Sequence, residues 1–257
     1  RGESSACKRE HDCGYDGSMT EGQAQGETES AKLHAELGGL LLFTQQLNNV
    51  EGVDYWIVQV PLGILHEIWR THVQLSLAIQ QENIPKLAFL CRSALELHIW
   101  ARYIISTPDA AKRFHQDAYV DALEILKLMD KAFKHTPSEV HSVIKTQLDP
   151  LVPQLESVLV RDKVGASIAQ LQNMKHLYVG EIARDVGYAA VYELWNPMLS
   201  KLVHATAYSV LVAGNDMNNI GLNLVTRTAE ELRYAVANVD DYLATTNLPR
   251  YMRRCKM

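Results

Sequence analysis

The stretch Lys86-Leu-Ala-Phe-Leu-Cys91-Arg92-Ser-Ala-Leu-Glu96-Leu-His98-Ile-Trp100-Ala-Arg102-Tyr103 is apolar on nearly every face when wound as a helix. A helix that is greasy all round is one buried on several sides. The remainder of the chain therefore has to supply other helices to enclose it. Pro85 opens this helix, which reads on to about Ser106, and Thr107-Pro108 caps the next, from Asp109 to about His135. Upstream, the spacing predicts a helix from about Val60 to Glu82, with Pro61 in its first turn. Its expected buried face is Leu65, Ile68, Trp69, Val73, Leu77 and Gln80. Before that, Ser30 reads as the N-cap of a helix to about Asn49, ended by Gly52, with Leu33, Leu37, Leu40, Leu41, Thr44 and Leu47 as its stripe.

Downstream, Thr136-Pro137-Ser138-Glu139 reads as a helix start, and Asp149-Pro150 with Pro153 breaks the next stretch into short pieces. Ser167 begins a helix to about Tyr178, and Gly180 and Gly187 bracket a short one at Glu181–Val186. Tyr188 to Ala213 forms a long segment with a kink or break at Asn196-Pro197. Gly214–Gly221 is a loop, and the last helix runs from Leu222 to about Thr245 on Leu224, Val225, Thr228, Leu232, Ala235, Val236, Val239 and Leu243. Trp56–Val60 is the main strand candidate. The expected fold is all-α, a multi-helix bundle behind a disordered N-terminal tail. The boundaries read as a tail at 1–29, one helical domain at 30–248 and a short basic tail at 249–257.

Of the net charge of −5, residues 1–30 account for −4, leaving the body close to neutral. A nucleic-acid binder draws its affinity from a basic surface, and no broad surplus exists here to make one. Four cysteines in 257 residues are no disulfide framework. Cys7-x3-His11-x-Cys13 lacks a fourth ligand at zinc spacing. No stretch has the roughly 18 uncharged apolar residues of a membrane span, and a cytoplasmic location is expected. The chain begins with Arg, and Met19-Thr20 makes a natural start, so residues 1–18 are expected to lie upstream of the native protein.

The informative residues are polar ones on apolar helices. Arg92 and Glu96 are one turn apart and share a face, with Tyr103 further along that side. They read either as an intrahelical ion pair at the bundle edge or as the anchor of a polar network lining a pocket. Asn196, Ser200, His204 and Tyr208 recur every four residues between Leu199, Val203 and Leu211. Ser200 and His204 have no acid placed to orient the imidazole, and no Gly-x-Ser-x-Gly elbow is present. His66-Glu67-Ile-Trp69-Arg70-Thr71-His72 is not His-Glu-x-x-His, and its two histidines do not share a face. No metal ligands and no cofactor are assigned. Glu181–Gly187 followed by Tyr188–Trp195 has the outline of a helix-turn-helix, but the second helix offers no Arg, Lys, Asn or Gln to a major groove.

At Arg92-x-x-x-Glu96, Ile182-Ala-x-x-Val-Gly187, Tyr192 and Ser200-x-x-x-His204, over residues 60–215, the chain resembles domain-of-unknown-function family 5677, a helical family. The resemblance implies a bundle in which Arg92, Glu96, Tyr192, Ser200 and His204 converge. That family in turn resembles HEPN-like helical domains, some of which are metal-independent RNases of microbial defence and toxin–antitoxin systems with an Arg-x(4–6)-His motif. Arg92 through His98 has that spacing. Two readings are open. One is a regulatory or binding module whose pocket is lined by Arg92, Glu96, Tyr103, Tyr192, Asn196, Ser200 and His204. It would take a protein partner or small ligand, with a homodimer as a candidate assembly. The alternative is an RNA-cleaving enzyme with Arg92, His98 and His204 as the candidate catalytic residues.

Overall fold

The buried residues of the central segment have the periodicity of a helix enclosed from three sides. In the computed structural model, α3 (Ile84–Ile104) is the axis of the bundle. The structure describes residues 21–47, 54–107, 109–133, 139, 142–143, 145–146, 149–204 and 217–245. Among these there are nine helices and no strand. The others are α1 (Glu21–Leu47), α2 (Tyr55–Gln80), α4 (Ala110–Phe133), α5 (Leu151–Arg161), α6 (Ile168–Gln172), α7 (Val179–Asp185), α8 (Ala189–Val203) and α9 (Met217–Thr245). None is long and apolar enough to cross a membrane.

α3 starts where Asn83 caps it, its Oδ1 accepting from the Lys86 N–H at 3.0 Å, with Pro85 in the first turn. Its longest packing partner is α9; α2, α8, α7 and α4 cover its other sides. Ala88, Ala94 and Ala101 are fully buried, and such small side chains let neighbouring helices approach closely. One core, built on Leu37, Leu65, Ile68, Leu232 and Val239, joins α1, α2 and α9 to α3. A second, built on Leu95, Ile99, Ile182, Leu199 and Leu224, joins α3 to α7, α8 and the start of α9. Each fully buried Leu or Ile contributes roughly 1.5–3 kcal/mol. A smaller cluster of Leu123, Leu159, Val164 and Leu171 holds α5 and α6 to α4.

Several element boundaries differ from those the sequence predicts. α1 begins at Glu21 rather than at Ser30. Gln23, Ala24, Gln25 and the glutamates before Ser30 favour a helix, and one anchored by Leu33–Phe43 propagates back through them despite Gly22 and Gly26. Trp56–Val60 is helical, because Val58, Pro61, Leu65 and Ile68 bury at the helical period. Pro61 therefore lies inside α2, not in its first turn. The buried face of α2 is also turned: Thr71, His72, Leu75 and Ala78 are inside, whereas Val73, Leu77 and Gln80 are exposed.

α5 runs unbroken through Pro153, which sits in its first turn, where its missing N–H costs nothing. Ser167 does start α6, through a reciprocal capping box with Gln170, but α6 ends at Gln172 rather than Tyr178. α8 passes Pro197 without a break and ends at Val203. α9 begins at Met217, so Gly221 is helical; a Cβ there would lie 3.3 Å from Ile84 Cδ1, a close approach between α9 and α3. Gly187 takes φ +70° just after α7, in the left-handed region glycine adopts without strain, whereas Gly180, expected to bracket that helix, lies inside it. Most of the expected start at Thr136–Glu139, together with Gly52, Tyr208, Leu211, Cys7, Cys13, Cys255 and residues 249–257, lies outside the described residues.

Candidate functional site

One turn of α3 separates Arg92 from Glu96, and the two pair as the spacing predicts: Arg92 Nε donates to Glu96 Oε1 at 3.0 Å. The side chains remain 37% and 30% exposed, so the pair lies at the bundle edge. Tyr192, on α8, lies within electrostatic reach of both. Its phenol is pushed up by burial and then by the Glu96 carboxylate, with Arg92 pulling the other way. Of the residues expected to converge, Arg92 and Glu96 pair directly, and Tyr192 feels the charge of both.

A second polar group lies deeper, between α3, α8 and α9. His98 is 4% exposed and Glu231 fully buried, and the ring Nδ1 hydrogen-bonds Oε2 at 2.5 Å. The other carboxylate oxygen accepts from the Tyr188 hydroxyl at 2.8 Å and pairs with the Arg227 guanidinium. Arg227 Nη2 also donates to the Tyr188 hydroxyl at 3.0 Å, while Nη1 lies 3.5 Å from Glu230. Rings close around these groups. Tyr188 meets His98 edge-on at 4.6 Å, Tyr234 stacks on His98 at 5.3 Å, and Arg227 sits over Trp195 at 5.4 Å. Arg102 lies over the Tyr188 ring and donates to the Val186 carbonyl at 2.9 Å, tying α3 to the turn before α8. Burial, and then the hydrogen bond to Glu231, pushes the Tyr188 phenol far up, which keeps it a proton donor to the carboxylate. A buried carboxylate costs several kcal/mol unless it is paired and hydrogen-bonded. Both oxygens of Glu231 meet that requirement, and in doing so they lock three helices together.

The other expected residues divide. Tyr103 is half-buried on α3, and its charged neighbours are Arg113, Asp117 and Asp185. Asn196 is half-buried on α8 with an Oδ1 withdrawn from solvent and without a hydrogen-bond partner among the described residues. Ser200 is half-buried, and its carbonyl accepts from the His204 N–H at 3.1 Å. His204 itself is exposed in an extended conformation at the end of α8, so the four-residue stripe loses its helix there. Tyr188, Arg227 and Glu231 are absent from the sequence-derived site. A signal for Glu231 exists: it lies on the α9 stripe between Thr228 and Ala235, a carboxylate in a row of core positions. Among the described residues, Asp117, Asp121 and His176 place potential metal-ligand atoms within 4.8 Å of one another.

Residues 67–219 match a family model described as "Family of unknown function (DUF5677)", over more than half of the chain. The chain belongs to this family. The matched stretch carries α3, α7 and α8, and with them Arg92, Glu96, His98, Tyr188 and Tyr192, whereas Arg227 and Glu231 lie beyond it. No curated protein and no solved structure matches the chain.

Proposed function

We propose that this member of the DUF5677 family is a regulatory or binding module, and that Arg92, Glu96 and Tyr192 receive its ligand or partner. The observation that carries this reading is the partly exposed Arg92–Glu96 pair, whose charges reach the Tyr192 phenol. A guanidinium, a carboxylate and a phenol at one accessible edge suit a zwitterionic small molecule or a polar peptide segment. Recognition of this kind needs groups that water can leave, and these three are accessible enough for that.

The RNase alternative asks Arg92 and a histidine to face one scissile phosphate. His98 is enclosed and bonded to Glu231, and Arg92 already has a carboxylate on it, which speaks for binding over phosphoryl chemistry. Incubating the full chain with single-stranded RNA in EDTA separates the two. The binding reading expects intact RNA. Cleavage that disappears in His98→Ala or His204→Ala would replace it with the enzyme. On the binding side, a thermal-shift series with free amino acids should find stabilisation that Arg92→Ala abolishes, since a ligand stabilises only the state that binds it.

A further inference from the structure

Away from the α3 edge, α4 presents Asp117 and Asp121 one turn apart, toward the loop between α6 and α7 that carries His176. His176 Nδ1 lies 3.2 Å from Asp121 Oδ1 and 3.5 Å from Asp117 Oδ2. That nitrogen is shut off from solvent, yet forms an aligned hydrogen bond with neither carboxylate. Separations of 3.2 and 3.5 Å between an imidazole nitrogen and two carboxylate oxygens are those of an ion pair when the ring is protonated, and also those of donor atoms gathered around one small cation.

The surroundings hold the donors in place. Asp117 is buried, and its Oδ1 accepts from the Leu177 N–H at 3.0 Å and from Arg113 Nη1 at 3.1 Å, leaving Oδ2 turned to His176. Arg113 also donates to the Lys175 carbonyl. The residues on both sides of His176 are thereby fastened to α4, an outer shell of the kind that orients metal ligands. Asp121 is 53% exposed, so water can reach the remaining coordination positions.

We propose that Asp117, Asp121 and His176 bind one divalent transition-metal ion, with water completing the coordination. One imidazole nitrogen and two carboxylate oxygens suit zinc or manganese; calcium takes six to eight oxygens and is not served by this set.

The test is calorimetric titration of zinc chloride into the full chain, freed of metal with EDTA and carrying Cys7→Ser and Cys13→Ser so that the N-terminal thiols do not chelate. One zinc per chain is expected, with affinity weakened by at least about tenfold in Asp121→Asn and in His176→Gln. Asp117, being buried, is left unaltered. X-ray absorption on the zinc-loaded parent chain supplies a readout independent of the variants: one imidazole with oxygen ligands supports the site. Absence of one-site binding, affinity unchanged in both variants, or a sulfur-containing shell overturns it.

Discussion

Replacing Glu231 by alanine removes the acceptor that His98, Tyr188 and Arg227 share, and leaves the His98 ring enclosed opposite an empty position. Breaking a buried pair by deleting one partner costs about 3–5 kcal/mol, because the stranded groups keep their desolvation cost and lose the compensating bonds. Arg227 recovers part of this, since it is one-fifth exposed and can turn to Glu230 from 3.5 Å. A net loss of about 3 kcal/mol is therefore expected, a large share of the roughly 5–15 kcal/mol by which domains are stable. At about 2–4 °C per kcal/mol for a chain of this size, the melting temperature falls by on the order of 10 °C. Urea unfolding followed by helicity should show a lower midpoint with an unchanged slope. Glu231→Gln keeps the shape and an acceptor for the Tyr188 hydroxyl, so it should lose less. The cycle with His98→Ala should show coupling above about 0.5 kcal/mol. A loss below about 1 kcal/mol for Glu231→Ala, or additive single substitutions, would refute the claim that this network clamps α3, α8 and α9.

Arg92→Ala, by contrast, should cost no more than about 1 kcal/mol in the same urea assay, because its partner Glu96 is reached by water. Burial lowers the basicity of His72 and His115, so both prefer the neutral form in the fold. The unfolded chain then takes up protons more readily below about pH 6.5, and stability should fall as the pH drops through that value toward the lowered folded pKa. His72→Gln should flatten the decline in urea midpoint between pH 7.5 and 5.5, and an identical slope in the variant would contradict the assignment; the raised Asp117 carboxyl acts in the opposite sense and is common to both proteins. Burial also pushes the Cys91 thiol up to about 11, so thiolate at pH 8 is only about one part in a thousand. Mass spectrometry after brief alkylation of folded protein should find Cys91 unmodified, and modified once urea is added.

How far the sequence carries depends on whether the signal is local. Arg92 and Glu96 could be paired from spacing alone, since four residues along a helix always share a face. The burial of α3 was equally legible, because polar residues are scarce on every side of it. The face of α2 was not. Leu62, Leu65, Ile68, Val73, Leu75, Leu77 and Ile79 offer several apolar stripes, and only packing against α1, α3 and α9 selects the one that goes inside. That Tyr192 should share a neighbourhood with Glu96 was an expectation of the resemblance rather than of any period. Asp117 with His176, and His98 with Glu231, join residues far apart in the chain, where no spacing rule reaches. Glu231 was obscured for a further reason: a hydrophobic stripe is read by its apolar members, and a charge within it is passed over unless its burial is asked about directly.

The place of Glu231 in the chain bears on what the family segment can do alone. The α3 helix packs more extensively on α9 than on any other helix, and α9 begins only at the end of the stretch that matches the family. His98 and Tyr188 lie inside the match, yet the carboxylate that satisfies both is on Glu231 outside it. Leu224, Thr228, Leu232, Ala235 and Val239 fill the groove along the same side of α3. A buried imidazole and phenol without an acceptor, above an uncovered apolar groove, is an arrangement that both hydrogen-bond and hydrophobic energetics disfavour. In this chain, then, α9 is an integral wall of the fold, and the α3 helix that carries Arg92 and Glu96 is packed against it.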